Sequence, residues 1–172
     1  MKRHVVLIGL PGAGKTTVAK LVADALQAPA VDVDAVIVRR EGKQIAMIFA
    51  EQGEAAFRAV ERRETDAALA GAPAIIAAGG GWAAQPGALA AARAHALIVY
   101  LRTRPETSVH RAEPQGTRPL LMGEDPAAQM RALLKERAPY YEQADETVDT
   151  DRKTAAQVAA EVVRLAQKAA GW

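Results

Sequence analysis

The amino-acid sequence predicts a three-layer α/β fold, with helices on both faces of a parallel β-sheet. Five short β-rich runs alternate along the chain with longer segments whose apolar residues recur at helical spacing. Three of the five runs lack polar alternation, which is typical of strands buried on both faces of a parallel sheet. Strands that alternate with helices are joined by right-handed crossovers, and these place helices on either side of the sheet.

The individual elements follow from these runs and from their flanking residues. The predicted strands are, in chain order, residues 4–9, 28–33, 72–78, 95–101 and 146–150. The predicted helices are residues 16–27, 53–70, 126–138 and 154–172. In the last of them Val158, Val162, Leu165 and Ala169 form one apolar stripe, and Gly171 is typical of a residue that follows a helix.

The whole chain, residues 1–172, is predicted to form a single domain. Its mass of 18.2 kDa suits one domain with a sizeable core, and it contains no internal repeat and no linker. The stretch 113–126 departs from the alternating pattern, because its Pro, Gly and polar residues favour an exposed, mobile loop.

Composition excludes several functional classes. The net charge is only +2 and the basic residues are spread along the chain, so no nucleic-acid partner is expected. The absence of cysteine excludes disulfides, thiolate metal sites and a cysteine nucleophile. No stretch approaches the roughly 20 apolar residues that span a bilayer, so we expect a cytoplasmic protein without a membrane partner. His4, His95 and His110 lack the spacing of metal ligands, and a monomer is expected because no exposed apolar stripe is evident.

One motif carries a specific chemical signal. The stretch GLPGAGKTT, Gly9 to Thr17, follows the first predicted strand and completes the pattern G-x-x-x-x-G-K-[ST]. Glycines let backbone N–H groups turn inward around phosphate oxygens, and the next helix presents its positive N terminus. Lys15 is placed to reach the β- and γ-phosphates of a nucleotide, and the Thr16 hydroxyl to ligate Mg²⁺. The predicted nucleotide contacts in this phosphate loop are Gly12, Ala13, Gly14, Lys15, Thr16 and Thr17.

The acid that accompanies a nucleotide-bound metal has to come from another segment. The chain contains no Asn, so it lacks the N-K-x-D motif of GTPases, and the strand at 72–78 runs into three glycines instead of an acid. Asp32 and Asp34 end the strand at 28–33, and in extended geometry both carboxylates would face one side, at the carboxyl edge of the sheet. A helix N-cap is the alternative for each. We favour Asp32 near Mg²⁺ and Asp34 near the hydroxyl of an acceptor.

Two further features each allow two interpretations. The glycines Gly79, Gly80 and Gly81 indicate either a flexible turn or a close approach of the backbone to a bound ligand. Arg58 lies at helical pairing distance from Glu54 and Glu61, so it belongs either to a surface ion pair or to a site that binds a carboxylate.

Two more arginines stand where a ligand could be reached. Arg137 comes just before Pro139, which is expected to kink or end its helix. Arg118 lies in the predicted mobile loop, where a cation could close over phosphates and exclude water, as a kinase requires.

In this order the motifs resemble the shikimate kinase family. The matching elements are GLPGAGKT, DVDAVI, IFAEQGEAAFRAVE, GGG, RPLL and RAPYY, and they extend over nearly the whole chain. The phosphate loop alone is common to many nucleotide-binding proteins, whereas the ordered set is far more specific. The resemblance implies a nucleoside-monophosphate-kinase-like P-loop kinase fold, with a central five-stranded parallel sheet, an acceptor-binding segment at about 32–62 and a mobile lid at about 112–125.

The resemblance also implies a reaction, the ATP-dependent phosphorylation of the 3-hydroxyl of shikimate in aromatic amino-acid biosynthesis, with Mg²⁺. On matching positions the catalytic residues are Lys15, Asp34 and Arg118, the metal site is Thr16 and Asp32, and Arg111 lies against adenine opposite the loop at 150–154. The implied shikimate-binding residues are Asp34, Phe57, Arg58, Gly79, Gly80, Gly81 and Arg137.

The sequence departs from the family pattern at two positions. Val38 follows DVDAVI where the family commonly has Glu, and Trp82 follows GGG where a small residue is usual. Trp82 would either narrow the acceptor pocket or cap it. The alternative function is therefore a related P-loop kinase that acts on a different hydroxy acid or polyol.

Overall fold

Five parallel strands form the central sheet. The computed structural model describes residues 1–112 and 125–172. The strands are β1 (His4–Ile8), β2 (Ala30–Asp32), β3 (Ile75–Ala77), β4 (Ala96–Arg102) and β5 (Glu146–Asp149). They lie in the order β2-β3-β1-β4-β5, and every adjacent pair is parallel. All five predicted strands are confirmed, although β2 and β3 are shorter than expected.

Helices connect the strands. They are α1 (Lys15–Leu26), α2 (Val33–Glu41), α3 (Ile45–Ala70), α4 (Ala88–Arg93), α5 (Pro105–Ala112), α6 (Pro126–Tyr141) and α7 (Ala155–Ala169), with a short 3₁₀ helix at Trp82–Ala84. The four predicted helices are present, in α1, α3, α6 and α7. Helix α2 was not predicted, because its run of β-branched residues favours a strand. Helices α4 and α5 were not predicted either, because they are too short for a clear periodicity.

Glycine and proline affect two of the long helices differently. The backbone leaves the helical region at Gly53, where φ is +85°, so α3 consists of two helices that meet there. The second helix begins where the sequence predicts a helix to begin. Pro139 lies in the last turn of α6, which ends at Tyr141, two residues beyond it.

Alternate residues of the central strand face two separate hydrophobic layers. Val5 and Leu7 of β1 pack with the buried residues of α1 and α7. Val6 and Ile8 face the opposite way and pack with buried residues of α2, α3 and α6. The sheet therefore lies between two layers of helices, which confirms the three-layer prediction.

The topology places a crevice at the carboxyl end of β1. This strand is central, and the chain continues first to β2 and β3 on one side and later to β4 and β5 on the other. Ligands of open α/β sheets bind at such a switch point, and the phosphate loop follows β1 directly. The expected lid falls largely outside the described residues, and so does Arg118. Among the described helices, none is long and apolar enough to cross a bilayer.

Candidate active site

The phosphate loop has the backbone geometry that its glycines predict. Gly9, Gly12 and Gly14 have positive φ angles of 151°, 78° and 93°. At Gly9 a β-carbon would stand 2.7 Å from the Leu101 carbonyl oxygen, so a side chain is excluded there by contact as well as by conformation. Gly14 precedes α1, and no side chain caps the first turn of that helix. The backbone N–H groups of this loop and of the first turn of α1 are therefore suited to bind an anion at the positive end of the helix.

Lys15 is held within this loop. Its side chain is largely buried, with 8% of the residue exposed, and its Nζ donates hydrogen bonds to the carbonyl oxygens of Gly9 (2.8 Å) and Leu10 (2.9 Å). A buried ammonium in a phosphate-binding loop would stabilise the negative charge of a transferring phosphoryl group.

Asp32 links β2 to the start of α1. The Thr16 hydroxyl donates to Asp32 Oδ2 at 3.0 Å, and Asp32 Oδ1 accepts from the Ala35 N–H at 3.4 Å as the N-cap of α2. The N-cap considered for Asp32 is thus present, and the same side chain is hydrogen-bonded to Thr16, the other residue expected at the metal. A hydroxyl and a carboxylate are hard oxygen ligands, so the pair fits Mg²⁺, which binds few protein groups and completes its shell with water and phosphates.

Asp34 lies in a different backbone environment from the one predicted. The chain turns into α2 at Val33, so Asp34 belongs to the first helical turn and the expected extended spacing of the two carboxylates is wrong. The physical reason is the N-cap at Asp32, which stabilises a helix start where β-propensity favours a longer strand. Both acids still line a cleft of about 740 Å³ with Thr16, and Val38 is also among its lining residues.

A second cavity lies beside the phosphate loop. It has a volume of about 250 Å³ and brings Arg111 of α5 next to residues of the loop after β5. The Arg111 guanidinium donates to the Thr150 hydroxyl at 3.4 Å and to the Thr150 carbonyl at 3.5 Å. The residues that line this cavity are Gly12, Ala13, Gly14, Thr17, Val18, Arg111, Thr150, Lys153, Ala155 and Val158. Arg111 and the 150–154 loop, which the resemblance puts on either side of adenine, therefore line one cavity.

The three glycines after β3 leave room for charged side chains. A β-carbon at Gly79 would stand 2.0 Å from Glu61 Oε2, one at Gly80 would stand 2.9 Å from Arg137 Nη1, and one at Gly81 would stand 2.4 Å from Arg58 Nη1. Positive φ is not the reason for glycine here, since Gly81 has a φ of −96°. The groups that come close to these glycines are thus the protein's own side chains Glu61, Arg137 and Arg58, and a close approach to a bound ligand stays a prediction.

Arg58 forms the ion pairs along its own helix that were one of the two roles considered for it. Its guanidinium pairs with Glu61 at 3.0 Å and with Glu54 at 3.5 Å along α3. It also lies 5.3 Å from the ring centre of Phe57, a residue that is 4% exposed. Gln85 donates to Glu61 Oε1 at 3.0 Å, so the acid that orients Arg58 is itself held from a second side.

The carboxyl of Glu61 shows that these groups share one electrostatic environment. Burial raises its pKa, the Arg58 charge opposes that rise, and the negative charge of Asp34 adds to it. Asp34 of α2 and Arg58 of α3 therefore act on the same carboxyl, which is 1% exposed.

Arg137 presents an unsatisfied donor beside the glycines. The residue is 4% exposed, and its Nη1 has no hydrogen-bond partner within residues 1–112 and 125–172. A buried N–H without an acceptor is costly, and a buried cationic one more so. A carboxylate bound beside Gly80 would satisfy this donor, since a guanidinium binds carboxylates through two parallel hydrogen bonds. We call Asp34, Arg58, Gly79–Gly81 and Arg137 the acceptor site.

Three residues near the acceptor site were missed as functional residues. Glu61 was considered only as an ion-pair partner, and Gln85 carries no sequence signal because its contacts are long-range. Tyr141 ends the matching element RAPYY, from which no role could be predicted for it.

Trp82, one of the two departures from the family pattern, is 0% exposed and belongs to the hydrophobic core.

Replacement of Gly81 by Ala is expected to impair the acceptor site while the fold persists. The new methyl group would overlap the Arg58 guanidinium, which ends a flexible side chain and can move away. We expect the KM for the acceptor to rise at least about tenfold, the lower end for a lost hydrogen bond to a charged group, with an unchanged KM for ATP. The control is Gly71→Ala, where the nearest atom is 3.4 Å away. An unchanged acceptor KM in Gly81→Ala contradicts the placement of Arg58.

Comparison with known proteins gives a consistent result. A family model described as shikimate kinase matches residues 11–167. The chain is 43% identical to the shikimate kinase of Thermobifida fusca, over 96% of this chain and 95% of that protein, and 38% identical to that of Caldanaerobacter subterraneus, over 98% and 99%. Among solved structures, shikimate kinase from Acinetobacter baumannii in complex with shikimate superposes with a TM-score of 0.93 at 32% identity, over 98% of this chain and 94% of that one.

Proposed function

This chain belongs to the shikimate kinase family, and we propose that its cleft transfers the γ-phosphoryl group of ATP to the 3-hydroxyl of shikimate, giving shikimate 3-phosphate and ADP. The observation that carries the proposal is the buried Nη1 of Arg137, which has no hydrogen-bond partner among the described residues and lies at the glycine segment, next to the phosphate loop. It indicates that the acceptor bears a carboxylate. The phosphate loop, which would bind ATP, and a site suited to a carboxylate thus lie next to each other.

ATP occupies the phosphate loop and the cavity beside it. Backbone N–H groups from Gly12 to Thr17 hold the phosphates, and adenine enters the 250 Å³ cavity with Arg111 against one face. Thr16 and Asp32, which are hydrogen-bonded to each other, would hold Mg²⁺. When bound, the metal neutralises charge on the β- and γ-phosphates.

The acceptor site orients shikimate. Arg58 and Arg137 hold the carboxylate, and the backbone of Gly79–Gly81 closes one side of the pocket. Phe57 supports the wall behind Arg58, since the guanidinium lies over its ring. Asp34 binds the hydroxyl that reacts and directs its oxygen at the γ-phosphorus. This arrangement supplies orientation, which is a large part of the catalysis of phosphoryl transfer.

The transfer exchanges one phosphorus–oxygen bond for another. The acceptor oxygen forms a bond to the γ-phosphorus, the bond from that phosphorus to the β–γ bridging oxygen breaks, and ADP leaves. Asp34 takes the hydroxyl proton. Lys15 stabilises the negative charge on the transferring group, together with Arg118, whose role comes from the family motif and which lies outside the described residues.

The remaining properties follow from composition and from the family. With a net charge of +2 and dispersed basic residues, the enzyme acts on a small molecule and not on nucleic acid. We propose that it works in the cytoplasm as a monomer, without a membrane partner, in aromatic amino-acid biosynthesis.

The decisive experiment measures ADP release with shikimate as the sole acceptor, with and without Mg²⁺. We expect turnover that requires both. A panel of other hydroxy acids and polyols tests the second candidate, a related P-loop kinase, which Val38 favours because it replaces the usual Glu in the lining of the 740 Å³ cleft. Shikimate-independent ADP release, or faster turnover with another acceptor, would overturn the assignment of the substrate.

A further inference from the structure

Tyr141 is fully buried and forms a short hydrogen bond at the acceptor site. It is the last residue of α6, it is 0% exposed, and its hydroxyl donates to the Gly80 carbonyl oxygen at 2.6 Å. The two residues are 61 positions apart in sequence, so this bond ties the end of α6 to the segment that follows β3. Burial raises the pKa of the Tyr141 hydroxyl, which keeps the phenol protonated and able to donate at neutral pH.

Gly80 lies between two functional parts of the protein. A β-carbon at this position would stand 2.9 Å from the Arg137 guanidinium and 3.4 Å from the Pro11 ring of the phosphate loop. Hydrogen bonds within the segment bind its neighbours, from the Trp82 N–H to the Gly79 carbonyl and from the Ala84 N–H to the Gly81 carbonyl. The Gly80 carbonyl, in contrast, accepts its hydrogen bond from Tyr141, a residue outside this segment.

One turn of α6 carries both Arg137, which is proposed to bind the carboxylate, and Tyr141, which holds the neighbouring backbone. Arg137 and Tyr141 are four residues apart in α6, so they project from the same face of the helix. Arg137 approaches Gly80 with an unsatisfied donor, while Tyr141 binds the Gly80 carbonyl. A shift of the glycine segment relative to α6 would therefore change the space into which Arg137 and Arg58 project.

We propose that Tyr141 is a positioning residue of the acceptor site, whose hydroxyl holds the Gly80 carbonyl and thereby sets the distance between the glycine segment and Arg137. The inference deepens the proposed function and rests on it for the identity of the acceptor. Tyr141 acts through the backbone of Gly80 and through the Arg137 guanidinium, whose charge and hydrogen bond oppose the rise that burial causes in the pKa of the Tyr141 hydroxyl. ATP binding should not depend on it, because the phosphate loop is held by its own backbone and by its contact with Leu101.

The chain contains a matched control for this role. The rings of Tyr100 and Tyr141 stack with centroids 5.1 Å apart, and Tyr100 is also buried, with a pKa raised by burial to about 12. Tyr100→Phe and Tyr141→Phe each remove one phenolic hydroxyl from the same stacked pair and keep both rings. Only the second removes the hydrogen bond to Gly80.

The test compares the steady-state kinetics of the two variants with those of the wild-type enzyme. For Tyr141→Phe we expect the KM for shikimate to rise about fivefold, the factor for one neutral hydrogen bond of typical strength, with the KM for ATP unchanged. Tyr100→Phe should match the wild type in both. An unchanged shikimate KM in Tyr141→Phe, or an equal rise in both variants, overturns the inference.

A second measurement keeps the inference testable whatever the acceptor is. Amide hydrogen exchange of the segment 79–84, followed by mass spectrometry, should be faster in Tyr141→Phe than in Tyr100→Phe, also by about fivefold. Equal exchange in the two variants contradicts the positioning role. If the wild-type enzyme shows no shikimate-dependent ADP release, the proposed function fails, and the exchange experiment still decides the role of Tyr141.

Discussion

A Lys15→Met variant is expected to lose at least about a hundred- to a thousandfold in kcat, the loss seen when one preorganised group that stabilises transition-state charge is removed. Met has nearly the length of Lys but carries no charge, so it fills the same space, while the transferring phosphoryl group loses the Lys15 ammonium and the loop loses the hydrogen bonds from Lys15 to the Gly9 and Leu10 carbonyls. The loss should appear mainly in kcat, because the backbone N–H groups of the loop still bind the phosphates of ATP.

The control for this variant is Lys168→Met. Lys168 is exposed in the last turn of α7, so the same chemical change there should leave turnover as it is in the wild type. Circular dichroism and the binding of a fluorescent ATP analogue establish that Lys15→Met is folded and binds nucleotide. A near-normal rate of ADP release in Lys15→Met would contradict the assignment of the phosphate loop as the catalytic centre.

An Arg137→Ala variant is expected to raise the KM for shikimate by roughly 10- to 150-fold, which corresponds to about 1.5–3 kcal/mol for a hydrogen bond to a charged group. The KM for ATP should remain unchanged, because Arg137 lies beside the glycine segment, whereas other residues line the 250 Å³ cavity proposed for adenine. Arg137→Lys keeps the charge but loses the planar pair of donors, and it should recover only part of the affinity.

Arg137 is a cleaner test of carboxylate binding than Arg58. Arg58→Ala should also raise the shikimate KM, but it would leave the buried Glu61 without its ion pair, and a loss of stability would accompany the loss of binding. Arg131→Ala, on the exposed side of the same helix as Arg137, removes only a surface ion pair to Glu106 and serves as the control. If Arg137→Ala kept the wild-type KM for shikimate, the carboxylate clamp would have to be abandoned.

The sequence alone was sufficient for the sheet and for the phosphate loop. Strands buried on both faces are continuous apolar runs, and that signal is local, so β1 and β4 could be predicted within two residues. The loop GLPGAGKTT is also a local signal, because the positive φ angles at Gly12 and Gly14 are a property of consecutive residues.

The short helices and the geometry of the paired acids could not be predicted in the same way. Asp32 and Asp34 were expected in one extended strand, yet Asp32 caps a helix to which Asp34 belongs. The alternative of an N-cap was open from the sequence. The same carboxylate also accepts from the Thr16 hydroxyl, which is 16 residues away in sequence, and no local pattern reveals that contact.

By itself the sequence determined the type of fold, the loop that binds phosphate and the family with its candidate arginines. Only the tertiary structure decided why three glycines follow β3 and which residues hold the arginines in place. Glu61, Gln85 and Tyr141 act through contacts with Gly79, Arg58 and Gly80 that join distant parts of the chain. Such contacts depend on packing between layers, and packing leaves no periodic pattern in the sequence for a local signal to reveal.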